Sequence, residues 1–553
     1  MEQIPSFNQY IEDSVIKFWD KDAFTDYKGA TLQFHDVARK IEKLHIMFEN
    51  SGVKRGDKIA LCGRNSSHWA VAFLATLTYG AIAVPVQNEF TPEQIHNIVN
   101  HSESKLLFVG DVVCTQVNPD MMPALEGIVY LPDFSIVISR SEQLTFAREH
   151  LNEIFGKRYP KYFRKEHIHY YKEQSPEELA MINYTSGTTG FSKGVMLPYR
   201  ALWGNIDYVL KCLAPNVKPG SNLVSILPMA HMYGLAVEFL FGFINGCHLY
   251  FLNRMPSPSL IAEAFAEVKP RLIVAVPLVI EKIIRRKVLA EVQTNRMKLL
   301  LNMPVINKKI KQHIRDRIME AFGGNAFEII VGGAPLNQGI EEFLNSVGVP
   351  VTIGYGTTET APLITFANYD KYKIASCGPV VDHMEAKVVS PDPANVPGEL
   401  IARGMNVMLG YYKNEEATNA VLDKDGWFHT GDLATMAPSG HIYIKGRIKN
   451  MLLGANGQNV YPEEIEDKLN NMPLVGESII IQRDTKLIAL VHPEIEDKEA
   501  MDFDDDDVKG IMAENLKTLN NQLPPFCKIA AIEIQKEEFQ KTAKKSIKRY
   551  LYK

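Results

Sequence analysis

The sequence predicts an α/β protein in two parts. A large N-terminal domain of mixed, largely parallel sheets flanked by helices is expected over residues 1–446, and a small α+β domain over 447–553. Three observations lead there. Short apolar, often β-branched runs alternate with helix-period stretches along most of the chain, the pattern of strands covered on both faces by helices. At 553 residues the chain exceeds what one hydrophobic core usually organises. After Gly446-Arg447-Ile448-Lys449 the composition turns mixed and charge-rich, which marks the second part.

The elements follow in order. Residues 58–61 read as an apolar strand, 67–77 as a helix and 81–86 as another strand. The apolar run 179–182 enters a polar, glycine-rich loop, and 195–197 leaves it as a strand-like run. The stretch 234–252 is rich in Phe and Leu, but Glu238, Asn245 and His248 interrupt it and Asn245-Gly246 is a turn signal. It reads as a buried helix, a turn and a strand over 247–252, which explains it better than a membrane span. Helices over 259–268 and 307–322 alternate with strands over 272–276, 328–331 and 349–353. In the second part, Val460-Tyr461-Pro462-Glu463-Glu464-Ile465-Glu466 opens a helix, and 478–481 with 487–491 read as paired strands. The acidic run 502–507 reads as a solvated loop.

Composition narrows the function classes. Hydrophobic residues at 46% and charged residues at 23% describe an ordinary globular protein. A net charge of −5 offers no basic footprint, so nucleic acid is not an expected partner. The six cysteines (62, 114, 212, 247, 377 and 527) lack metal or CxxC spacing and read as reduced thiols. The opening Met1-Glu2-Gln3-Ile4-Pro5 carries neither the basic nor the apolar region of a signal peptide, so a cytoplasmic location is expected.

Chemistry concentrates in loops that follow strand-like runs, where α/β folds gather their ligands. Tyr184-Thr185-Ser186-Gly187-Thr188-Thr189-Gly190-Phe191-Ser192-Lys193-Gly194 brings hydroxyls, glycines and a lysine together. Glycine lets backbone N–H groups turn toward an anion, and hydroxyls and lysine complete a polyphosphate cradle. It is not a Walker A loop, because Lys193 follows Ser192 and precedes Gly194 instead of leading into Ser or Thr. Further along, residues 328–331 lead into Gly332-Gly333-Ala334-Pro335, and 349–353 lead into Gly354-Tyr355-Gly356-Thr357-Thr358-Glu359-Thr360. Tyr355 offers an aromatic face for a base, and Glu359 a carboxylate suited to Mg²⁺. In Asp425-Gly426-Trp427-Phe428-His429-Thr430-Gly431-Asp432, Asp432 offers an acceptor for ribose hydroxyls.

The succession TSGTTGFSKG, LPMAHMYG, GGAP, YGTTE, GWFHTGD, KGRIKN and NGQNVYPEEIE resembles the core motifs of the adenylate-forming superfamily of acyl-CoA synthetases, luciferases and adenylation domains. The likeness runs from about residue 30 to the C-terminus, and GWFHTGD with GELIARGMNVMLGYY is most similar to long-chain fatty-acid–CoA ligases. The resemblance implies a two-step reaction: a carboxylic acid and ATP give an acyl-adenylate and pyrophosphate, and CoA then displaces AMP as a thioester forms. Mg²⁺ is the implied cofactor, with ATP and CoA as co-substrates. By the same resemblance, Thr185, Ser186, Gly187, Thr188, Thr189, Gly190 and Lys193 cradle the β- and γ-phosphates, and Thr185 with Glu359 holds Mg²⁺. Gly333, Ala334, Pro335, Tyr355 and Gly356 line the adenine site, Thr358 lies near the α-phosphate, and Asp432 and Arg447 hold the ribose. His231 stands beside the acyl carboxylate, Lys449 is a hinge on which the smaller domain rotates, and Gly457 borders the CoA tunnel.

One departure matters. The family's catalytic lysine follows Lys-Thr-x-x-Gly; here that register holds Ser546, and Lys545 stands where the glycine belongs. Lys545 is the candidate for the role. Transfer to a carrier protein instead of CoA, and a nucleotide-binding protein with impaired adenylation, remain the alternatives. A medium- or long-chain fatty acid is the expected substrate. The basic tail, with Lys544, Lys545, Lys548, Arg549 and Lys553, reads either as a solvated segment or as a peripheral contact with anionic lipid at the inner face of a membrane.

Overall fold

The computed structural model describes residues 4–173, 175–185, 192–284, 304–453, 459–483, 486–494, 505–541 and 547–552. Two large sheets organise the N-terminal part. The first has eight strands in the order Gly410–Tyr411, Lys193–Pro198, Leu179–Thr185, Ile82–Val86, Lys58–Cys62, Ser104–Val109, Gly127–Tyr130 and Ile136–Ser139. Its centre is parallel: Lys58–Cys62 pairs with Ile82–Val86 on one side and Ser104–Val109 on the other. The helix Ser67–Tyr79 makes the crossover. Ser66 caps it by accepting from the Trp69 amide at 3.2 Å, and Gly80 ends it at φ 85°. It touches strands of both sheets and is buried along almost its whole length, which is why it carries no polar face.

The second sheet has seven strands in the order Val351–Ile353, Glu328–Val331, Leu272–Ala275, Asn222–Ser225, His248–Phe251, Asp22–Asp26 and Thr31–Gln33. All neighbours are parallel except the last pair. Parallel neighbours release their following loops at one edge, so the segments after Ser225, Val331 and Ile353 emerge together. That edge is where the motif loops gather. A four-stranded antiparallel sheet, Met384–Val389, Gly398–Gly404, Phe428–Met436 and Ile442–Arg447, follows in the chain and carries Asp432 and Arg447.

The stretch 234–252 is a π-helical turn Gly234–Leu240, a short helix Phe241–Ile244, the Asn245-Gly246 turn and the strand His248–Phe251. Its rings build the core: Phe34 and Phe243 stack at 4.9 Å, and Phe24 meets Phe251 at 5.4 Å. Among the described residues no helix is long and apolar enough to cross a membrane.

The C-terminal part has its own apolar cluster, including Val460, Ile465, Leu469, Ile480, Leu487 and Val491. The strands Val475–Arg483 and Lys486–Pro493 pair antiparallel, Ile529–Ile534 joins in parallel, and the helices Pro462–Asn470 and Asp505–Gln522 pack on them. Two expectations need correction. The end of the acidic run is not a loop: Asp506 and Asp507 lie exposed in the first turn of Asp505–Gln522, where carboxylates favour the positive end of the helix dipole. The basic tail is not wholly solvated either. Arg549 ion-pairs with buried Glu466, because a charge taken out of water must find its opposite.

Candidate active site

The phosphate-type segment is flanked by two strands that pair with each other. Leu179–Thr185 and Lys193–Pro198 pair antiparallel with Thr185 opposite Lys193 and Tyr184 opposite Gly194. Ser186, Gly187, Thr188, Thr189 and Gly190 lie outside the described residues, but both stems are defined. The edge strand Gly410–Tyr411 covers one stem, with Tyr411 opposite Val195. The Lys193 ammonium sits 4.7 Å from the centre of the Tyr411 ring, and the Tyr411 hydroxyl donates to Glu359 Oε1 at 2.9 Å. Burial, and then the Glu359 charge, push the Tyr411 phenol further above its ordinary range, so it stays a donor. Lys193, Tyr411 and Glu359 therefore form one chain of contacts across three segments.

Glu359 lies in the turn Thr358–Thr360, which joins the paired strands Tyr355–Gly356 and Leu363–Thr365. Gly356 is a steric requirement there: a Cβ would stand 1.8 Å from the Pro362 carbonyl oxygen. Tyr355 donates to Asp432 Oδ2 at 2.5 Å, and Arg447 Nε lies 2.9 Å from Asp432 Oδ1. The register of their strands causes this, since Asp432 and Arg447 are direct partners. The Asp432 side chain is 6% exposed and that of Arg447 62%. Burial raises the Asp432 carboxyl above its usual range even though Arg447 and Tyr355 pull it down; Glu359 adds to the rise. The two tyrosine–carboxylate groups thus share one field. Gly333, Ala334 and Pro335 are exposed at the neighbouring strand end, with Gly333 at φ 83°, a conformation that suits glycine. Thr358 is buried.

His231 is half-buried, and its Nδ1 accepts from the Tyr233 amide at 3.4 Å. Tyr233 in turn donates to the Ile330 carbonyl at 3.1 Å, tying this loop to the strand that leads into Gly332. What fixes the loop is a buried polar network. Glu238 accepts from the Ser225 hydroxyl at 3.0 Å and from the Ile226 and Leu227 amides at 3.3 Å. Asn65 donates to the Leu227 carbonyl at 2.6 Å and accepts from the Met229 amide at 2.9 Å. Burial pushes the Glu238 carboxyl well above the ordinary carboxylate range, while its three donors pull it back down. Sequence reasoning missed both residues and gave Tyr411 no role. The signals were a lone acid in an apolar run and the tyrosine of GYY.

On the C-terminal side, Lys449 is exposed in the turn Ile448–Asn450. The helix Pro462–Asn470 reaches back toward this region: Glu464 pairs with Lys445 at 3.2 Å, Glu463 accepts from Asn450 at 2.6 Å, and Asp467 accepts from the Gln338 amide at 3.3 Å. Gly457, Lys545 and Ser546 lie outside the described residues. Their flanks do not: Lys541 and Ile547 form an antiparallel bridge, and Phe539, Ile547 and Tyr552 pack with Ile479, Ile481 and Leu490. No group of three or more His, Cys, Asp or Glu capable of holding a metal occurs among the described residues. A hydroxyl and one carboxylate, Thr185 and Glu359, are the kind of oxygen donors that fit Mg²⁺ shared with substrate phosphates.

Comparison with known proteins bears on the family and the fold. The AMP-binding enzyme family matches residues 11–412, and the AMP-binding enzyme C-terminal domain matches 449–552. A long-chain-fatty-acid–CoA ligase of Escherichia coli O157:H7 is 31% identical over 507 residues, covering 86% of this chain and 82% of that protein. Among solved structures, an anthranilate CoA ligase, AuaEII, in complex with anthranoyl-AMP superposes with a TM-score of 0.79 at 17% identity, covering 99% of this chain and 97% of that one. O-succinylbenzoate coenzyme A synthetase from Bacillus subtilis, in complex with ATP and magnesium ion, gives a TM-score of 0.73 at 18% identity, covering 98% of each chain. These two share the fold. Together the family match, the ligase relative and the loop cluster lead to one conclusion: the chain belongs to the AMP-binding enzyme family, as an AMP-forming acid–thiol ligase most like the long-chain fatty-acid–CoA ligases.

Proposed function

We propose that the acid is a medium- or long-chain fatty acid and that the product is its CoA thioester. The names of the curated relatives, long-chain-fatty-acid–CoA ligases at about 30% identity, support the acyl class. The observation that carries the chemistry is the convergence of Lys193, Glu359, Tyr355, Asp432 and Arg447 through Tyr411 and the 432–447 pairing. In the first step a carboxylate oxygen bonds the α-phosphorus of ATP and the bond to the β-phosphate oxygen breaks, releasing pyrophosphate. The acid is already ionised at neutral pH, so no general base is required. The protein's work is positioning and charge neutralisation. Lys193 meets the leaving phosphates, the 186–190 loop supplies amides and hydroxyls, Tyr355 with 333–335 and Gly356 holds the base, Asp432 and Arg447 hold the ribose, and Thr358 attends the α-phosphate. Thr185 and Glu359 would hold Mg²⁺, whose charge shields the phosphate oxygens when it is bound. His231 borders the acyl carboxylate.

In the second step the CoA sulfur bonds the acyl carbon and AMP leaves. Division of the chain into 1–446 and 447–553, with Lys449 as the hinge and Gly457 beside the pantetheine arm, accounts for two steps at one site. Lys545 belongs to the first step, where its ammonium would meet the acyl-adenylate oxygens. The test is acid-dependent pyrophosphate exchange over a panel of acids, followed by transfer to CoA or to a carrier protein. Exchange strongest with medium- or long-chain acids, acyl-CoA as product, and slowing by Lys545→Ala but not by Lys544→Ala are expected. Exchange with none of the acids overturns the proposal in favour of a nucleotide-binding role, and transfer only to a carrier protein overturns the acceptor. Exchange unaffected by either lysine variant overturns the assignment of Lys545.

A further inference from the structure

We infer that Tyr411 is a positioning residue that holds Glu359 and Lys193 at a fixed spacing, one for a divalent cation and the other for the departing phosphates. The inference rests on the ligase reading above and names the residue that aligns its phosphate side. Tyr411 is buried, and its backbone is stitched to both partners' segments. The Met408 amide donates to the Glu359 carbonyl at 2.9 Å, the Leu409 amide to the Met196 carbonyl at 2.9 Å, and the Tyr412 amide to the Gly194 carbonyl at 2.7 Å. The Tyr411 amide is itself anchored on the Thr418 hydroxyl at 2.9 Å.

The two ends of the side chain do different work. The hydroxyl takes one oxygen of Glu359 at 2.9 Å, fixing the rotamer of the carboxylate while the other oxygen keeps its lone pairs for a hard cation. The ring face holds the Lys193 ammonium at 4.7 Å. A π face attracts an ammonium without neutralising it, so the charge stays available to an anion. A carboxylate in the ring's place would form an ion pair and spend that charge.

The two functions separate by substitution. Tyr411→Phe keeps the ring and loses the hydroxyl; Tyr411→Leu loses both. The experiment is calorimetric binding of ATP, without acid or CoA so that nothing turns over, across a series of Mg²⁺ concentrations including none. Tyr411→Phe is expected to raise the Mg²⁺ needed for half-maximal enhancement of ATP binding about tenfold, with Mg²⁺-free affinity unchanged. Tyr411→Leu is expected to lose Mg²⁺-free ATP affinity as well, by about threefold. A melting curve checks each variant, and Tyr411→Phe carries the test if Tyr411→Leu does not fold. Wild-type Mg²⁺ dependence in Tyr411→Phe overturns the inference, as does an equal loss with and without Mg²⁺, which a merely structural role would produce. A wild-type chain that binds no Mg²⁺–ATP overturns the ligase reading together with the inference.

Discussion

Two tyrosine–carboxylate pairs stand near one another and dispose of their cations in opposite ways. At the first, Tyr355 donates to Asp432 and Arg447 lies directly on the carboxylate at 2.9 Å. At the second, Tyr411 donates to Glu359 and Lys193 rests on the ring instead. Among the described residues no cation lies within ion-pair distance of Glu359. The difference teaches what each carboxylate can still do. A carboxylate already matched by a guanidinium is compensated and serves as an acceptor for neutral hydroxyls. One held only by a phenol keeps its charge for an incoming cation, and its neighbouring lysine keeps its charge for an anion.

The largest expected effect tests the uncompensated pair. Lys193→Ala should slow pyrophosphate exchange by about 10²-fold, with the loss in kcat and the KM for acid unchanged. A loss confined to KM would mean that Lys193 contributes uniform binding, and the two pairs would then work alike. Asp432→Asn should raise the KM for ATP about tenfold and largely spare kcat, because a charged acceptor for hydroxyls is replaced by a neutral one. Arg447, at 62% side-chain exposure, then turns to water. Equal falls in kcat and kcat/KM would erase the contrast.

A third carboxylate sharpens the comparison through stability. Glu238 is buried and accepts from three donors, so Glu238→Ala orphans the Ile226 and Leu227 amides and should cost about 2 kcal/mol, whereas Glu238→Gln keeps one acceptor oxygen and should cost less. Urea denaturation distinguishes the two. The smallest effect is a pH slope. Glu328 accepts from the Thr352 hydroxyl and the Tyr369 amide, yet burial pushes it up to about 7. An unfolded glutamate titrates near 4.3, so between these values the folded chain binds more protons and this group's contribution to stability falls as pH rises. The melting midpoint should therefore drop by about 2 °C across that window from this group alone, and Glu328→Gln should remove that component. A slope unchanged in Glu328→Gln would show that burial does not perturb this carboxyl.

Much of this was legible in the chain. The alternation over 58–86 and 259–331 places its strands and helices within three residues of those observed, because short β-branched runs between helix-period stretches leave little choice, though it missed the helix Pro277–Ile284. The site residues were legible as loop chemistry, and Asp432 and Arg447 do meet. What could not be read was non-local. Asn65 supports the Leu227 loop across 162 positions, and no local pattern marks it. Arg549 looked like one more tail lysine or arginine until Glu466 met it. The end of the acidic run passed for a loop because its first-turn charges resemble solvated ones until the apolar face behind them is packed.

By itself the sequence determined the α/β class, the order of the motif loops and the residue types each offers, since propensity, turn chemistry and hydrophobic period act over a few neighbours. Only the tertiary structure decided which of those residues touch. Tyr411 joins Lys193 to Glu359 because an edge strand from beyond position 400 pairs with a strand near 195. Register between distant strands fixes such distances, and register is set by the packing of the whole sheet.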